Sequence, residues 1–351
     1  MMSAQLSSSE SSISHNPFND AAAHIPRYTC RKFTQHDLKL GSQLAYQSFN
    51  ELNDKHNKQH DFASVEVVES IIRSELHHTS HGNGYSIVCS DKQNQIISSG
   101  HIIHNNSNGI AHLSMINASS HHPGSGKLVV SELLNYIKSR SDINSVRLVT
   151  YLENDVSVSL YTKLGFRIVS IFAQCQGNIL SESKLSVELQ MRANNITVRA
   201  MTVDDINECD KLFNKATQLH RSMDLQSFVQ RNSSTCLVAT CGSSIVGYIT
   251  SHQIDGHLIA DDSLIESTDG TGYVVTRALI CSVDTAVLES QTDELWKSKL
   301  IGVHITSIDN PQLLCWCICS GLRINRHNTL MVHGNYAPTN TKLIYLPSIE
   351  W

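Results

Sequence analysis

Apolar and polar positions near the start of the chain predict a strand followed by two helices. Alternation over residues 28–33 is typical of a short strand. Thr34, with Asp37 three residues later, matches the capping box that begins a helix. Apolar residues then recur at helical spacing over residues 38–49 and again over residues 62–76. The pattern therefore predicts two amphipathic helices joined by a polar loop.

Strands predominate in the next part of the chain. Two apolar runs separated by a polar turn predict a β-hairpin, and a third strand follows. The pattern then changes to helix, strand, helix and strand, and Asn154 stands where it would cap the second of these helices. The three strands after the second helix are predicted at 85–89, 96–104 and 110–117. The helix, strand, helix and strand that follow are predicted at 128–137, 146–152, 154–165 and 166–172.

A glycine-containing turn lies just before the predicted helix 128–137. It has the sequence His121-His122-Pro123-Gly124-Ser125-Gly126-Lys127. A turn of this kind directs backbone N–H groups and the positive end of the helix dipole at one point, which suits a phosphate or diphosphate. Taken alone, a G-x-G turn before a helix is more often an ordinary loop, so the turn by itself does not establish a site.

The second half of the chain repeats the pattern of the first. Residues 180–194 are polar and weakly patterned, and we predict a linker there. Helices around residues 212–213 and 225–229 and a hairpin over 236–240 and 245–251 follow. The correspondence is closest at the start of each half, where Arg199, Thr202 and Asp205 take the places of Arg31, Thr34 and Asp37.

The chemical features repeat less well. Gly270-Thr271-Gly272 precedes the apolar run 273–283, as the first glycine turn precedes its helix. Asp261, Asp262 and Asp269 lie near this second turn, and their charge would oppose a phosphate. The residue that corresponds to Tyr161 is Cys317, which cannot act as a phenolic proton donor.

Composition adds limits rather than a function. The chain has 351 residues, 40% hydrophobic and 17% charged, with a net charge of −5, so neither nucleic acid nor a membrane is expected as a partner. The Ser-rich residues 1–26 are expected to be disordered and carry no leader pattern. Ten scattered cysteines suggest reduced thiols and a cytoplasmic protein. No metal site is predicted, since the spacing of Cys315, Cys317 and Cys319 favours buried apolar residues over zinc ligands.

The glycine turn and the later segment from Asn154 to Phe166, taken together, resemble the motifs of the GNAT superfamily of acyl-coenzyme A-dependent N-acyltransferases. That family has a Q/R-x-x-G-x-G/A turn, met here by Gly124 and Gly126 with His121 in the first position. Its second signature is a downstream Asn followed by Leu-Tyr and Gly-Phe. In this chain the second signature corresponds to Asn154, Ser157, Leu160, Tyr161, Gly165 and Phe166.

The resemblance implies a fold and a set of site residues. The implied fold is α/β (α+β), with two tandem GNAT-like domains, each a mixed, mostly antiparallel twisted sheet flanked by helices. Residues 27–179 would be the catalytic domain, 180–194 the linker and 195–351 a degenerate domain that helps to shape the acceptor pocket. Acetyl-CoA would be the co-substrate, bound by Met115, Ile116, His121, Gly124, Ser125, Gly126, Lys127 and Asn154.

The resemblance also implies a mechanism. Tyr161 would be the general acid that protonates the departing thiolate, since a phenol is protonated at neutral pH. Two alternatives stay open: Tyr161 could be a packing residue, and Asn154 could cap its helix instead of binding the pantetheine arm. Residues 49–62 would select the acceptor amine, a small molecule or a protein amino group. His112, Ser114 and His104 lie on suitable strands, but the sequence identifies no general base.

Three functions are compatible with these features. The first is an N-acetyltransferase that is catalytic in its first half. The second is an acyl-CoA-binding or regulatory protein with little turnover, which His121 and the degenerate second half would favour. The third, a purely structural module, fits least well because the signature at Asn154–Phe166 is retained. The sequence does not indicate the acceptor, the acyl chain preference or the oligomeric state.

Overall fold

A computed structural model of the chain describes most of the sequence. The described residues are 28–105, 108–231, 234–252, 256–264, 273–289, 301–306, 309–338 and 344–347. The predicted disordered segment 1–26 and the second glycine turn, 270–272, lie outside these ranges. We refer to residues 28–180 as the first half and to residues 196–347 as the second half.

The first half contains six strands and four helices in the predicted order. The strands are β1 (Thr29–Lys32), β2 (Gly84–Ser90), β3 (Ile96–Asn105), β4 (Ile110–Ala118), β5 (Ser145–Tyr151) and β6 (Arg167–Gly177). The helices are α1 (Leu38–Lys55), α2 (Val65–Ser80), α3 (Ser125–Lys138) and α4 (Asp155–Lys163). Helix α1 extends beyond its predicted end, so the loop before α2 is shorter than the predicted acceptor loop 49–62.

The second half repeats this order. Its strands are β7 (Ile196–Ala200), β8 (Leu237–Cys241), β9 (Ser244–Ile249), β10 (Leu258–Ala260), β11 (Ile301–Thr306), β12 (Arg323–Gly334) and β13 (Ile344–Leu346). Its helices are α6 (Ile206–Thr217), α7 (Ser222–Arg231), α8 (Val274–Glu289) and α9 (Pro311–Cys319). Helix α5 (Ser181–Ala193) connects the halves.

The segment predicted as a linker forms a helix, which the weak pattern of residues 180–194 did not predict. Val187 and Gln190 of α5 are buried, and the Arg277 guanidinium of α8 donates a hydrogen bond to Gln190 Oε1 at 2.7 Å. Lys184 forms an ion pair with the buried Asp284 of α8 at 2.6 Å. These contacts are between distant parts of the chain, so local periodicity gave little sign of them.

The main sheet is shared between the halves. Its eight strands run in the order β1-β2-β3-β4-β5-β12-β6-β11, and five strands of the second half form a separate sheet in the order β13-β10-β9-β8-β7. Strand β12 of the second half lies between β5 and β6 of the first and pairs antiparallel with both. Strand β11 covers the free edge of β6. The order β5-β12-β6-β11 is thus symmetric, because the fifth strand of each half borders the sixth strand of the other.

Matching caps begin both halves. The carboxylate of Asp37 accepts hydrogen bonds from Thr34 N at 2.9 Å and from Arg31 at 2.6 and 2.7 Å. Asp205 accepts from Thr202 N at 2.8 Å and from Arg199 at 2.7 Å through both nitrogens. In each case the arginine lowers the pKa of the carboxyl, from 3.8 to about 2. The predicted repeat is therefore visible in side-chain chemistry as well as in element order.

Each half contributes buried residues to the apolar core of the other. Buried Met331 of β12 belongs to the apolar cluster that α3 forms with β4 and β5 of the first half. Conversely, Ala173 and Cys175 of β6 pack in the main cluster of the second half, with α8. Each half thus completes its core with a strand of the other.

Cysteine pairing differs from the sequence-based expectation. Cys30 and Cys89 are paired across β1 and β2 and form a disulfide, so the prediction of reduced thiols is wrong for this pair. The spacing of 59 residues gave no sign of the cross-link, which arises from strand register. Among the described residues, no helix is both long and apolar enough to cross a bilayer.

Candidate active site

An opening between β4 and β5 defines the candidate site. The two strands pair in parallel only from Ile110 opposite Ser145 to His112 opposite Arg147. Beyond these residues β4 stays with β3 and β5 stays with β12. The backbone edges at residues 113–118 and 148–151 therefore separate and are free to contact an extended ligand.

A β-bulge shapes the β4 side of this opening. Met115 and Ile116 together lie opposite Gly100, because pairing passes from Ser114 with His101 to Asn117 with Ser99. Met115 has a φ angle of 48°, which is uncommon for a residue with a side chain. The bulge lies at the two residues predicted to contact the pantetheine arm.

The N-terminus of α3 lies against the end of β4. The helix begins at Ser125, so Gly126 and Lys127 are in its first turn. Gly124 precedes the helix with a φ angle of 91°, a conformation that disfavours other residues. The first N–H groups of a helix have no carbonyl partner within it, and neither a side-chain cap nor an acidic residue is present in this first turn. The turn can therefore bind an anion.

The glycine turn approaches the strand closely. A Cβ atom placed on Gly126 would lie 3.3 Å from Ala118 Cβ at the end of β4. His121 is exposed in the connection before the helix, where its backbone N–H donates to Ser119 Oγ at 3.3 Å. The structure thus brings Gly124–Lys127 to the end of the β4 edge and leaves the His121 side chain in the exposed part of the turn.

Helix α4 holds the two remaining predicted residues. Asn154 Oδ1 accepts a hydrogen bond from Ser157 N at 3.2 Å, so Asn154 caps its helix. Tyr161 is 5% exposed and belongs to the apolar cluster that also contains Leu148 and contacts Ile116. Burial raises the pKa of Tyr161 well above its ordinary value, so the phenol keeps its proton at neutral pH.

A buried carboxylate lies on the opposite face of β4. Glu75 of α2 is 7% exposed and accepts a hydrogen bond from Ser114 Oγ at 2.7 Å. Ser114 immediately precedes the bulge. Of the other residues considered as bases, His104 is within hydrogen-bond distance of the Tyr136 hydroxyl, at 3.0 Å, and is buried. Sequence analysis missed Glu75, although it lies three residues after Ile72 on the buried face of its helix.

The loop between α1 and α2 is attached to the second half. Arg326 of β12, whose side chain is 2% exposed, forms an ion pair with Asp61 at 3.3 Å. It also donates to Asn53 Oδ1 at 2.9 Å, and its guanidinium carbon lies 4.1 Å from the ring centre of Tyr151 at the end of β5. Burial and the charge of Asp61 raise the pKa of Tyr151 well above its ordinary value.

This cluster joins the predicted acceptor loop, the mouth of the β4–β5 opening and the second half. Lys58 adds a hydrogen bond to Asn325 O at 2.7 Å. Neither periodicity nor motif spacing indicates these contacts, because they depend on the position of β12 in the shared sheet.

The N-terminus of α8, which corresponds to that of α3, is capped by a side chain. The carboxylate of Asp262 accepts hydrogen bonds from Val275 N at 2.6 Å and from Thr276 Oγ1 at 2.5 Å, in the first turn of α8. It therefore fills the position that is open at α3. Cys317 of α9 is buried, in the place that Tyr161 has on α4.

Comparison with solved structures identifies this arrangement. A protein of Pyrococcus horikoshii assigned as an acetyltransferase superposes with a TM-score of 0.64 at 13% identity, covering 93% of this chain and 96% of that chain. A GCN5-related N-acetyltransferase of Sphaerobacter thermophilus gives 0.57 at 12% identity, covering 89% and 97%. This chain has the GNAT fold. Neither protein-family models nor curated proteins give a significant match to its sequence.

A third GNAT structure is part of a larger protein. It is the GCN5-related glucosamine N-acetyltransferase region of a fungal multi-domain β-N-acetylglucosaminidase, with a TM-score of 0.54 at 11% identity. The match covers 87% of this chain and 38% of that chain. Since all three matches cover most of this chain, the GNAT fold extends over both halves, as the repeated sequence pattern predicted.

Proposed function

We propose that the protein is an acyl-CoA-dependent N-acetyltransferase whose first half is catalytic. The observation that supports this most strongly is the contrast between the two helix N-termini. The first turn of α3 has no capping carboxylate, whereas Asp262 occupies that of α8. The α3 turn adjoins the β4 edge that is unpaired beyond His112, whereas the corresponding strand of the second half, β10, is paired with β13 over its described residues.

The co-substrate would be held by the residues predicted from the sequence. Backbone N–H groups of Gly126 and Lys127 would bind the coenzyme A diphosphate, and the Lys127 side chain adds a positive charge there. The bulge residues Met115 and Ile116 would contact the pantetheine arm. The thioester supplies an acyl group that an amine can attack directly. Asn154 contributes by capping α4 and so fixing the helix that carries Tyr161.

Tyr161 is proposed as the general acid. Its phenol keeps a proton at neutral pH because burial raises its pKa, and that proton would be given to the departing sulfur. The alternative is that Tyr161 only packs in the core. Tyr161→Phe separates the two roles, because it removes the hydroxyl and leaves the ring in place.

Ser114 and Glu75 are proposed to deprotonate the acceptor amine. The Ser114 hydroxyl, hydrogen-bonded to Glu75, lies where β4 leaves β5. As the Ser114 oxygen takes a proton from the acceptor ammonium group, the Ser114 hydroxyl proton would move to the Glu75 carboxylate, which makes Glu75 the terminal base. A Glu75→Gln enzyme should have a lower kcat, lose the acidic inflection of its kcat–pH profile and keep its coenzyme A affinity. An unchanged pH profile would rule out Glu75 as the base.

The acceptor is proposed to be a small amine or a protein amino group at the mouth framed by Asp61, Tyr151 and Arg326. One structural neighbour is named for glucosamine, so amino sugars belong in the panel together with polyamines, amino acids and peptides. The decisive experiment combines coenzyme A binding by calorimetry with thiol release from acetyl-CoA in the presence of each amine. Mass spectrometry of the acceptor then identifies the product.

The outcomes distinguish the candidate functions. Binding with amine-dependent thiol release supports the enzyme. Binding without release for any amine would favour the acyl-CoA-binding or regulatory protein, which the exposed position of His121 and the capped N-terminus of α8 make the next candidate. A protein that does not bind coenzyme A at all would contradict both.

A further inference from the structure

A second cavity lies at the end of the shared sheet opposite the β4–β5 opening. Its volume is about 510 Å³, which is within the ordinary range for small-molecule sites, roughly 300–1,000 Å³. The first half provides the starts of β4, β5 and β6. The second half provides the end of α6 and the segment that follows β12. The cavity therefore belongs to neither half alone.

The cavity is lined by positive charge. Arg147 and Arg167 both line it, and none of the described lining residues is Asp or Glu. Arg147 is 5% exposed and its guanidinium carbon lies 5.4 Å from the ring centre of Tyr336. Arg167 is exposed and donates to Gly334 O at 3.0 Å. One arginine is thus buried against Tyr336, and the other lies at the cavity surface.

Amide side chains supply further hydrogen-bonding groups. Asn108, Asn144, Gln218 and Asn335 also line the cavity. Asn108 already joins the two halves, since its side chain donates to His220 O at 2.7 Å and accepts from His220 N at 3.0 Å.

The acidic groups nearby are directed elsewhere or lie beyond the lining. Asp142 forms an ion pair with Arg140 at 2.7 Å. Burial raises the pKa of the Tyr336 phenol, and the charge of Asp309 adds to this shift, so Asp309 lies near Tyr336. Asp210 forms an ion pair at 2.8 Å with His220, the hydrogen-bond partner of Asn108. None of the three aspartates is among the lining residues, so the two arginines are the charged groups of the described lining.

We propose that this cavity binds a small anionic molecule that carries phosphate or carboxylate groups. Guanidinium groups bind both through paired N–H donors, and the amides can bind the polar substituents of such a molecule. Because the walls come from both halves, the bound anion would hold the halves together at the end of the sheet remote from the active site. The site is independent of the proposed acetyl transfer.

The test measures thermal unfolding of the full chain in inorganic phosphate, citrate and chloride at matched ionic strength. The wild-type melting temperature should rise in phosphate or citrate relative to chloride, since a ligand that binds only the folded state stabilises it. Arg167→Gln should reduce the rise, because weaker binding gives less stabilisation at the same ligand concentration. Arg192→Gln removes an exposed arginine of α5 that lies outside the cavity and is paired with Glu188, so it should retain the rise.

Calorimetry then gives the affinities. Arg167→Gln should bind about tenfold more weakly than wild type because one charge-assisted contact is lost, and Arg167→Lys should fall between them. Melting of Arg167→Gln in chloride shows whether the variant is folded. A response to phosphate alone would assign a phosphate ester, and a response to citrate alone a polycarboxylate. An equal rise in all the variants, or no rise in wild type, would overturn the proposal.

Discussion

The N-termini of α3 and α8 show how two copies of one fold come to differ in what they can bind. Both helices follow a glycine-containing turn in the sequence and pack against strands of their own half. At α8 the carboxylate of Asp262 is hydrogen-bonded to Val275 N. At α3 no side chain caps the first turn. A protein carboxylate and a ligand phosphate compete for the same N–H groups, so one aspartate decides whether such a turn is a cap or a binding site.

The largest expected difference between the halves is the effect on kcat of replacing Tyr161, the proposed proton donor, and of replacing Cys317, the corresponding residue. Tyr161→Phe removes only the hydroxyl, and we expect kcat to fall about a hundredfold with coenzyme A affinity unchanged, as for loss of a general acid. Cys317→Ala is the matched change in the second half and should leave kcat close to wild type. Steady-state kinetics with a verified acceptor provides the measurement. If Tyr161→Phe transfers acetyl groups at the wild-type rate, the tyrosine is a packing residue.

The next largest effect should be on stability, when the ion pair between Arg326 of the second half and Asp61 of the first half is removed. Arg326→Met leaves Asp61 without its guanidinium partner, and we expect a loss of about 2 kcal/mol in the free energy of unfolding. Because Asp61 lies in the loop between α1 and α2, hydrogen exchange of residues 56–64 should also accelerate. Arg323→Met, an exposed position on the same strand, is the control. Equal exchange in both variants would show that Arg326 does not hold the loop.

A carboxylate introduced into the uncapped first turn of α3 should weaken anion binding there, as Asp262 is expected to do at α8. Gly126→Asp introduces an acid into the first turn of α3, and we expect coenzyme A to bind about tenfold more weakly because like charges repel. Titration calorimetry measures the change. Gly126→Ala adds the Cβ atom without the charge and should weaken binding much less.

The opposite change at α8 completes this comparison. Asp262→Ala should lower the free energy of unfolding by about 1 kcal/mol through loss of the cap, without any effect on coenzyme A affinity. Equal weakening of coenzyme A binding by Gly126→Ala and Gly126→Asp would mean that space, not charge, limits the α3 site.

Acid unfolding should be sensitive to the arginine–aspartate caps that begin both halves. Asp37 and Asp205 each have a pKa lowered to about 2 by an arginine. A lowered pKa stabilises the folded state above the unfolded-state pKa, near 3.8, and this contribution is lost as the pH falls towards 2. Asp37→Asn and Asp205→Asn should each remove about 1–2 kcal/mol of this pH-dependent stability, since the arginines are partly exposed. Urea titrations between pH 5 and 2 would test whether the two variants behave alike.

Local signals explain what the sequence could predict. The capping boxes at Thr34 and Thr202, the glycine turn and the Asn154 signature all depend on residues a few positions apart. The helix after the glycine turn begins at Ser125, three residues before its predicted start. The helical structure of the linker was not predicted, because the partners of α5, such as Asp284, are distant in the chain.

Pairing between distant strands could not be predicted in the same way. Nothing in the periodicity of residues 323–334 distinguishes a strand that stays in its own half from one that enters the other half. The disulfide of Cys30 with Cys89, the contact of Arg326 with Asp61 and the cavity between the halves all depend on such pairing. The role of the second half in the site was therefore expected only in general terms.

The position of β12 has a consequence for synthesis of the chain. Tyr151 pairs with Asn328 and Val332 with Arg167, so the centre of the main sheet forms from residues made far apart in time. Until the ribosome has released residues beyond Gly334, β5 and β6 expose the edges that β12 will cover, and exposed strand edges promote aggregation. Maturation of the nascent first half is thus coupled to completion of translation, and chains that terminate before β12 should be substrates for chaperones and proteases.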